Sequence, residues 1–380
     1  MVPEDCLMEI LQWLPAKTLC KLKTVSKTFL KLISDPFIQT LHANHAKTGI
    51  SIINITRSTT FEIIPIDHDV FSIPTESLLF LTKYSKKIMA TLRGLIVFKS
   101  SLNDFRVLNP FTKNFSIISP PPGMLMHYMV LGLRSINDKD YEMICAINKI
   151  SKSSGNPALE FWRYLSGDMS WEYLAEVDSI VRCIVLHLAV FLSGFVFWPV
   201  SFRLNITDGE YQGIVFDIER RRLQSVLLPE EFSRVRIRQI ELSFTAWPDG
   251  SLCMIQNKMK ERRIVIWLMR SPFSSQMEWI KVHEINLRDF GLKGKPSCHT
   301  MIRDELLVFS TNNSVRVYSF YEHSVKKVGR FKESQRDFVI PYVGTFSSMW
   351  KGRAINYEHG IATSFWFIMH NVFFFIEKKA

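Results

Sequence analysis

Much of what catalysis uses is missing from these 380 residues. No Gly-x-Ser-x-Gly elbow is present to anchor a serine hydrolase. Gly291 to Ser297 has glycines and lysines but is too short between them for a phosphate loop, and Pro296 would spoil the start of a following helix, so the segment is expected to be a turn. Ser166 to Trp171 lacks the glycine of an Asp-box, which leaves Asp168 as a residue that closes a hairpin. The six cysteines, at 6, 20, 145, 183, 253 and 298, form no Cys-x-x-Cys pair and are expected to be buried free thiols. His42 and His45 are only three apart, a spacing expected to leave them facing solvent or capping a helix, so neither metal nor cofactor is assigned. The most apolar run, Ile361 to Ile376, falls short of the ~20 residues a bilayer span needs and contains His370 and Asn371, so no membrane role follows. Glu4 and Asp5 stand where a secretory leader would be basic. With free thiols and no leader, residence in the nucleus and/or cytoplasm is expected.

Acidic charge is also scarce, with 36 Asp and Glu against 47 Lys and Arg. Residues 220 to 263 hold ten of the cations against five acids. Within them Arg234, Arg236 and Arg238 alternate with Val235 and Ile237, which puts all three on one face of a strand. A solvated outer face is the plain reading and an acidic or phosphorylated target the functional one. Nucleic acid is not assigned, because no recognition motif accompanies the charge.

What is present divides at about residue 46. Leu7, Ile10, Leu11 and Leu14 recur at helical spacing, after Pro3 at a helix start and before Pro15 at its end. A second helix is expected from Thr18, its N-cap, to Lys23, with Leu19 and Leu22 inward. A third is expected from Val25 to Ser34, with Val25, Phe29, Leu32 and Ile33 on one side and Lys23, Lys27 and Lys31 on the other, ending at Asp35-Pro36. So small a head cannot bury all of its large apolar side chains by itself. Six of them buried at about 1.5 to 3 kcal/mol each would offset the cost of association, about 4 to 15 kcal/mol. A docking module is therefore expected over 1–46.

Residues 47–380 show strand patterns that repeat. Paired strands separated by polar turns begin near Ile52, Val107, Phe161, Val215, Ile266 and Val317, at intervals of 55, 54, 54, 51 and 51 residues. Between them lie Gly94 to Phe98, Tyr141 to Ile147, Gly194 to Trp198, Gly250 to Ile255 and Glu305 to Phe309, read as inner strands. A period near 50 built of short strands predicts propeller blades, because one such sheet cannot cover its own faces. The expected fold is mainly β, a three-helix head followed by a six-bladed propeller. One blade would be completed from both ends of the chain, by a hairpin over Ile50 to Ile66 and by strands after Ile340.

The stretch from Val2 to Phe37 resembles the F-box of plant F-box proteins, through Val2-Pro3, Glu9-Ile10-Leu11, Leu14-Pro15-Ala16-Lys17-Thr18-Leu19, Val25-Ser26-Lys27 and Leu32-Ile33-Ser34-Asp35-Pro36. Val2 replaces the usual Leu and Phe29 the usual Trp. Leu92 to Ile96, Leu108-Asn109-Pro110-Phe111-Thr112-Lys113 and Pro120-Pro121-Pro122 are similar to the kelch-like F-box-associated interaction domain of the same family. The resemblance implies a non-catalytic substrate receptor of a Skp–cullin–F-box ubiquitin ligase. Its F-box would bind a Skp-type adaptor and, through it, a cullin, while the propeller would bind a target protein. The adaptor-binding residues expected on this basis are Val2, Pro3, Leu7, Ile10, Leu11, Leu14, Pro15, Leu19 and Leu22, and the target-binding ones Arg234, Arg236 and Arg238. The alternative is an enzymatic propeller, a hydrolase or oxidoreductase, with an incidental helical cap.

Overall fold

The computed structural model describes residues 3–14, 16–45, 50–55, 61–65, 85–92, 94–100, 104–109, 114–122, 129–136, 140–151, 154–155, 157–178, 189–192, 194–201, 211–229, 241–247, 249–270, 278–302, 306–331 and 339–343. The head holds four helices where three were expected: α1 (Glu4–Leu11), α2 (Ala16–Lys23), α3 (Lys27–Ser34) and α4 (Pro36–His45). The fourth follows from the same Asp35-Pro36 pair that ends the third. Asp35 is extended, as a residue before proline must be, and its carboxylate accepts from the Phe37 N–H at 2.8 Å, while Pro36 needs no donor in a first turn. Two other boundaries shift. Thr18 lies inside α2, which starts at Ala16, and α3 starts at Lys27 because Ser26 caps it, its hydroxyl accepting from the Phe29 N–H at 3.1 Å.

The remainder is sheet. Five sheets have four antiparallel strands each, hydrogen-bonded in sequence order. The first blade is β3 (Ser85–Leu92), β4 (Leu95–Ser100), β5 (Phe105–Asn109) and β6 (Asn114–Ile118). The second is β7 (Met129–Ser135), β8 (Tyr141–Ile150), β9 (Pro157–Leu165) and β10 (Ser170–Asp178). The third is β11 (Val190–Leu192), β12 (Phe195–Ser201), β13 (Tyr211–Asp217) and β14 (Arg222–Leu227). The fourth is β15 (Glu241–Ala246), β16 (Leu252–Lys258), β17 (Arg263–Arg270) and β18 (Glu278–Asn286), and the fifth is β19 (Pro296–Ile302), β20 (Leu306–Thr311), β21 (Ser314–Ser319) and β22 (Ser324–Arg330).

A sixth sheet of three described strands closes the ring. It joins β1 (Ile50–Ile55) and β2 (Phe61–Pro65) to β23 (Val339–Val343), in the order β2-β1-β23. The register sets Ile50 against Val343 and Asn54 against Val339, so both ends of the domain share one sheet and hide two edges. The innermost strands pack on one another around the ring, from β3 through β7, β11, β15 and β19 to β23 and back to β3. The segments read as inner strands therefore lie one place out. Gly94 to Phe98, Tyr141 to Ile147 and their counterparts fall on β4, β8, β12, β16 and β20, while the central strands are shorter or carry no clear alternation; β11 has three residues.

Among the described residues, apolar cores join neighbouring blades from the first round to the closing sheet. Ile144, Leu159 and Phe161 of the second blade meet Val196, Trp198, Ile214 and Phe216 of the third, and the rings of Phe161 and Phe216 stack at 3.9 Å. Gly213 lies so close under Phe197 that a Cβ there would sit 2.1 Å from the ring. Gly329 plays the same part at the closure, where a Cβ would come within 2.5 Å of Ile64. Two interfaces share a polar latch. Trp171 and Trp279, each the second residue of an outermost strand, donate their indole N–H to the carbonyls of Ser119 and Leu227 at the end of the preceding blade, at 2.7 and 2.8 Å.

Candidate functional site

The head's interior is small: Leu11, Leu19, Leu32 and Ile33 are buried together, with Leu7, Met8, Leu14, Cys20, Leu22 and Phe29 packed against them. His42 is buried as well, not solvent-facing, because its Nε2 donates to the Leu14 carbonyl at 3.0 Å and so ties α4 to the end of α1. The expected docking residues thus divide. Leu11 and Leu19 are committed to this interior, Leu7, Leu14 and Leu22 are half-buried against it, and Pro3 and Ile10 face outward. Val2 and Pro15 lie outside the described residues.

Alongside the core-facing stripe, α1 carries a second apolar line. Pro3, Cys6, Ile10 and Trp13 follow one another at spacings of three and four, and all are exposed; Ile10 is 55% and Trp13 59% accessible. Val25 (66%), Leu30 (48%) and Phe37 (62%) add further exposed apolar area on the turns and helices that follow. Trp13 and Val25 are not among the residues expected at the docking face; the second stripe, visible only once the first is committed to the core, finds Trp13, whereas Val25 lies in the turn before α3. Lysines surround this area: Lys21, Lys27 and Lys31 are exposed, and burial lowers the pKa of half-buried Lys23.

The segments weighed and set aside as sources of chemistry fall as follows. Cys145 and Cys253 are buried in the disc, which raises their thiol pKa values and keeps them protonated, whereas Cys6 is exposed, contrary to expectation. Asp168 lies in the hairpin turn after β9, and Gly291 to Lys295 is the link into β19. Among the described residues no group of three or more His, Cys, Asp or Glu side chains is placed to hold a metal, and no helix is long and apolar enough to cross a membrane. Arg234, Arg236 and Arg238 lie outside the described residues.

Comparison with known proteins agrees with this division of the chain. Residues 1–39 match the F-box domain, and residues 51–348 match the F-box associated beta propeller domain. "F-box protein At5g07610" of Arabidopsis thaliana is 23% identical over 88% of this chain and 87% of its own length. "F-box protein CPR1" of the same plant is 23% identical over 75% of this chain and 73% of its own length. A solved oligogalacturonate lyase from Vibrio parahaemolyticus aligns with 67% of this chain and 79% of its own at a TM-score of 0.37 and 12% identity, too loose a match to bear on activity. A helical head with an uncovered apolar stripe, a ring of sheets closed by both ends of the domain and two domain matches in that order lead to one assignment: the chain belongs to the F-box-associated β-propeller family, with an F-box ahead of its propeller.

Proposed function

We propose that this chain is the non-catalytic substrate-recognition subunit of a Skp–cullin–F-box-type ubiquitin ligase, resident in the nucleus or cytoplasm. The head captures a Skp-type adaptor, the adaptor links it to a cullin, and the propeller holds the target protein. The observation that carries the reading is the uncovered stripe of Pro3, Cys6, Ile10 and Trp13 beside a fully used core of Leu11, Leu19, Leu32 and Ile33. A helix that is apolar on two sides has one side left for a partner, and large aromatic side chains such as Trp13 are the kind that anchor an interface. Among the residues first expected at the adaptor, Pro3 and Ile10 contact it directly. Leu7, Leu14 and Leu22 line its edge, and Leu11 and Leu19 act by holding α1 to α2 and α3.

The test is co-purification of the full chain with a Skp-type adaptor and a cullin. The wild-type chain should retain both. Ile10→Asp combined with Trp13→Asp should release both while leaving the thermal transition in place, because the new charges remain in water until docking buries them. Retention of the adaptor by that variant would remove the stripe from the interface. Turnover of a small substrate by the chain alone would favour the enzymatic alternative.

A further inference from the structure

One rim of the fourth and fifth blades gathers positive charge that carboxylates of the described residues leave largely unpaired. β16 ends there at Lys258, β17 begins at Arg263, and Arg263 is in register with Asn286 at the end of β18. The link 287–295 runs on to Pro296, which is in register with Thr311 at the end of β20, and Ser314 at the start of β21 is in register with Arg330 at the end of β22. These turns form one continuous surface. The Leu287 N–H donates to the Arg262 carbonyl at 2.9 Å and the Phe331 N–H to the Asn313 carbonyl at 2.8 Å. Gly294 is so close to Thr311 and Asn312 that a Cβ on it would lie 2.9 Å from each.

Lys260, Arg262, Arg288, Lys293, Lys295 and Arg330 sit on this surface, Arg262 half-exposed and the other five exposed. Among the described residues none of the six is paired with a carboxylate. Of the described acids nearby, Glu284 is held by Arg263 and Lys281, while Asp289, which accepts only from the neutral Asn286 amide, and Glu261 keep their charge, so two carboxylates stand against the six cations. The second blade shows the contrast: Arg134 pairs with Glu142, Lys149 with Glu160 and Glu176, and Arg163 with Glu172. Arg262 moreover has φ of 59°, a left-handed turn position that glycine or asparagine fills with less strain, so an arginine stands there against local preference. Like charges so close together repel one another, and a carboxylate-rich partner relieves that repulsion.

We propose that this rim is the target-docking surface and that the target presents a segment rich in Asp and Glu. This rests on the substrate-receptor reading and gives the chemistry of its target. Protein is favoured over single-stranded nucleic acid because such binding needs aromatic faces for bases to stack on. The aromatic residue of the link, Phe290, instead packs into the core between the blades, 5.8 Å from the ring of Tyr318. The charges act mainly by steering association, so their contribution weakens steeply with salt.

The probe is a fluorescent poly-glutamate peptide titrated against the full chain. Binding should weaken as salt rises, and Arg288→Glu with Lys293→Glu and Lys295→Glu should weaken it by about tenfold or more. A charge-matched control, Arg222→Glu with Lys326→Glu and Lys327→Glu, reverses exposed cations away from this rim and should leave binding near wild type. Equal loss in both variants, or loss in neither, overturns the proposal. Tighter binding of poly-uridine RNA or of a phosphoserine peptide than of poly-glutamate overturns the assignment of target class. Adaptor capture by the rim variant, measured in parallel, separates the two claims. A wild-type chain that binds the peptide but not the adaptor defeats the receptor reading alone, and one that captures the adaptor but not the peptide defeats the rim alone.

Discussion

The head and the disc handle apolar side chains in opposite ways. In the disc the described blades cover one another's faces around a closed ring of innermost strands, so Phe161 and Trp198 of adjacent sheets finish in one core. The head has four short helices around a single small interior, and among the described residues Ile10, Trp13, Val25, Leu30 and Phe37 stay exposed on its outer side. Closure consumes apolar surface and an open two-layer packing leaves some over. On the proposed reading, that difference suits the disc to serve as a platform and the head to dock a partner.

The sharpest way to break the comparison is to damage each part separately. Phe161→Ala removes a ring shared by the second and third blades and should destabilise the disc by about 3 to 5 kcal/mol, leaving adaptor capture intact where the disc remains folded. Differential scanning calorimetry of the full chain should show the disc transition fall and the head transition stay. Leu11→Ala should do the reverse, at about 2 to 5 kcal/mol, with loss of helical signal and of adaptor capture but no change in the disc transition. Equal effects of both changes on one shared transition would mean that head and disc fold as a unit.

A smaller effect probes how neighbouring blades are latched. Trp279→Phe keeps most of the apolar area but leaves the Leu227 carbonyl without the indole donor, and should lower disc stability by about 0.5 to 1.5 kcal/mol in urea unfolding. Trp171→Phe should match it at Ser119. The smallest concerns charge. Hydrogen bonds from Lys281 and Arg263 hold the Glu284 carboxyl below its ordinary pKa, so its contribution is present above the ordinary carboxylate range and is lost as pH falls through the lowered value. Glu284→Gln should therefore lose a little stability at neutral pH and none in strong acid. A loss that grows on acidification would reverse the sign.

Much of this was legible beforehand, where local pattern and local structure coincide. The hairpins β5–β6, β13–β14, β17–β18 and β21–β22 follow from alternating strands around polar turns, and their spacing carried the blade repeat. The central strands were not legible, because β11 is too short to alternate and β7 and β15 owe their place to neighbouring blades. α4 is not legible from Asp35-Pro36 as a stop signal alone, because the same pair is also a cap and a first turn. The docking face was half legible. Leu7, Ile10, Leu11 and Leu14 form one periodic set, yet which of them turns inward depends on where α3 and α4 pack, and that is long-range information. The rim charges needed the strand register, since Lys260, Lys295 and Arg330 come together only when β16 and β22 end, and β19 begins, on one side.

The central claim is that the head docks while the disc stays free to hold a target. Amide hydrogen exchange of the full chain, with and without a Skp-type adaptor, tests it most directly. The account expects added protection over α1 to α3, centred on Ile10 to Val25, with the blades unchanged. Protection confined to the blades, or none anywhere at saturating adaptor, would contradict it.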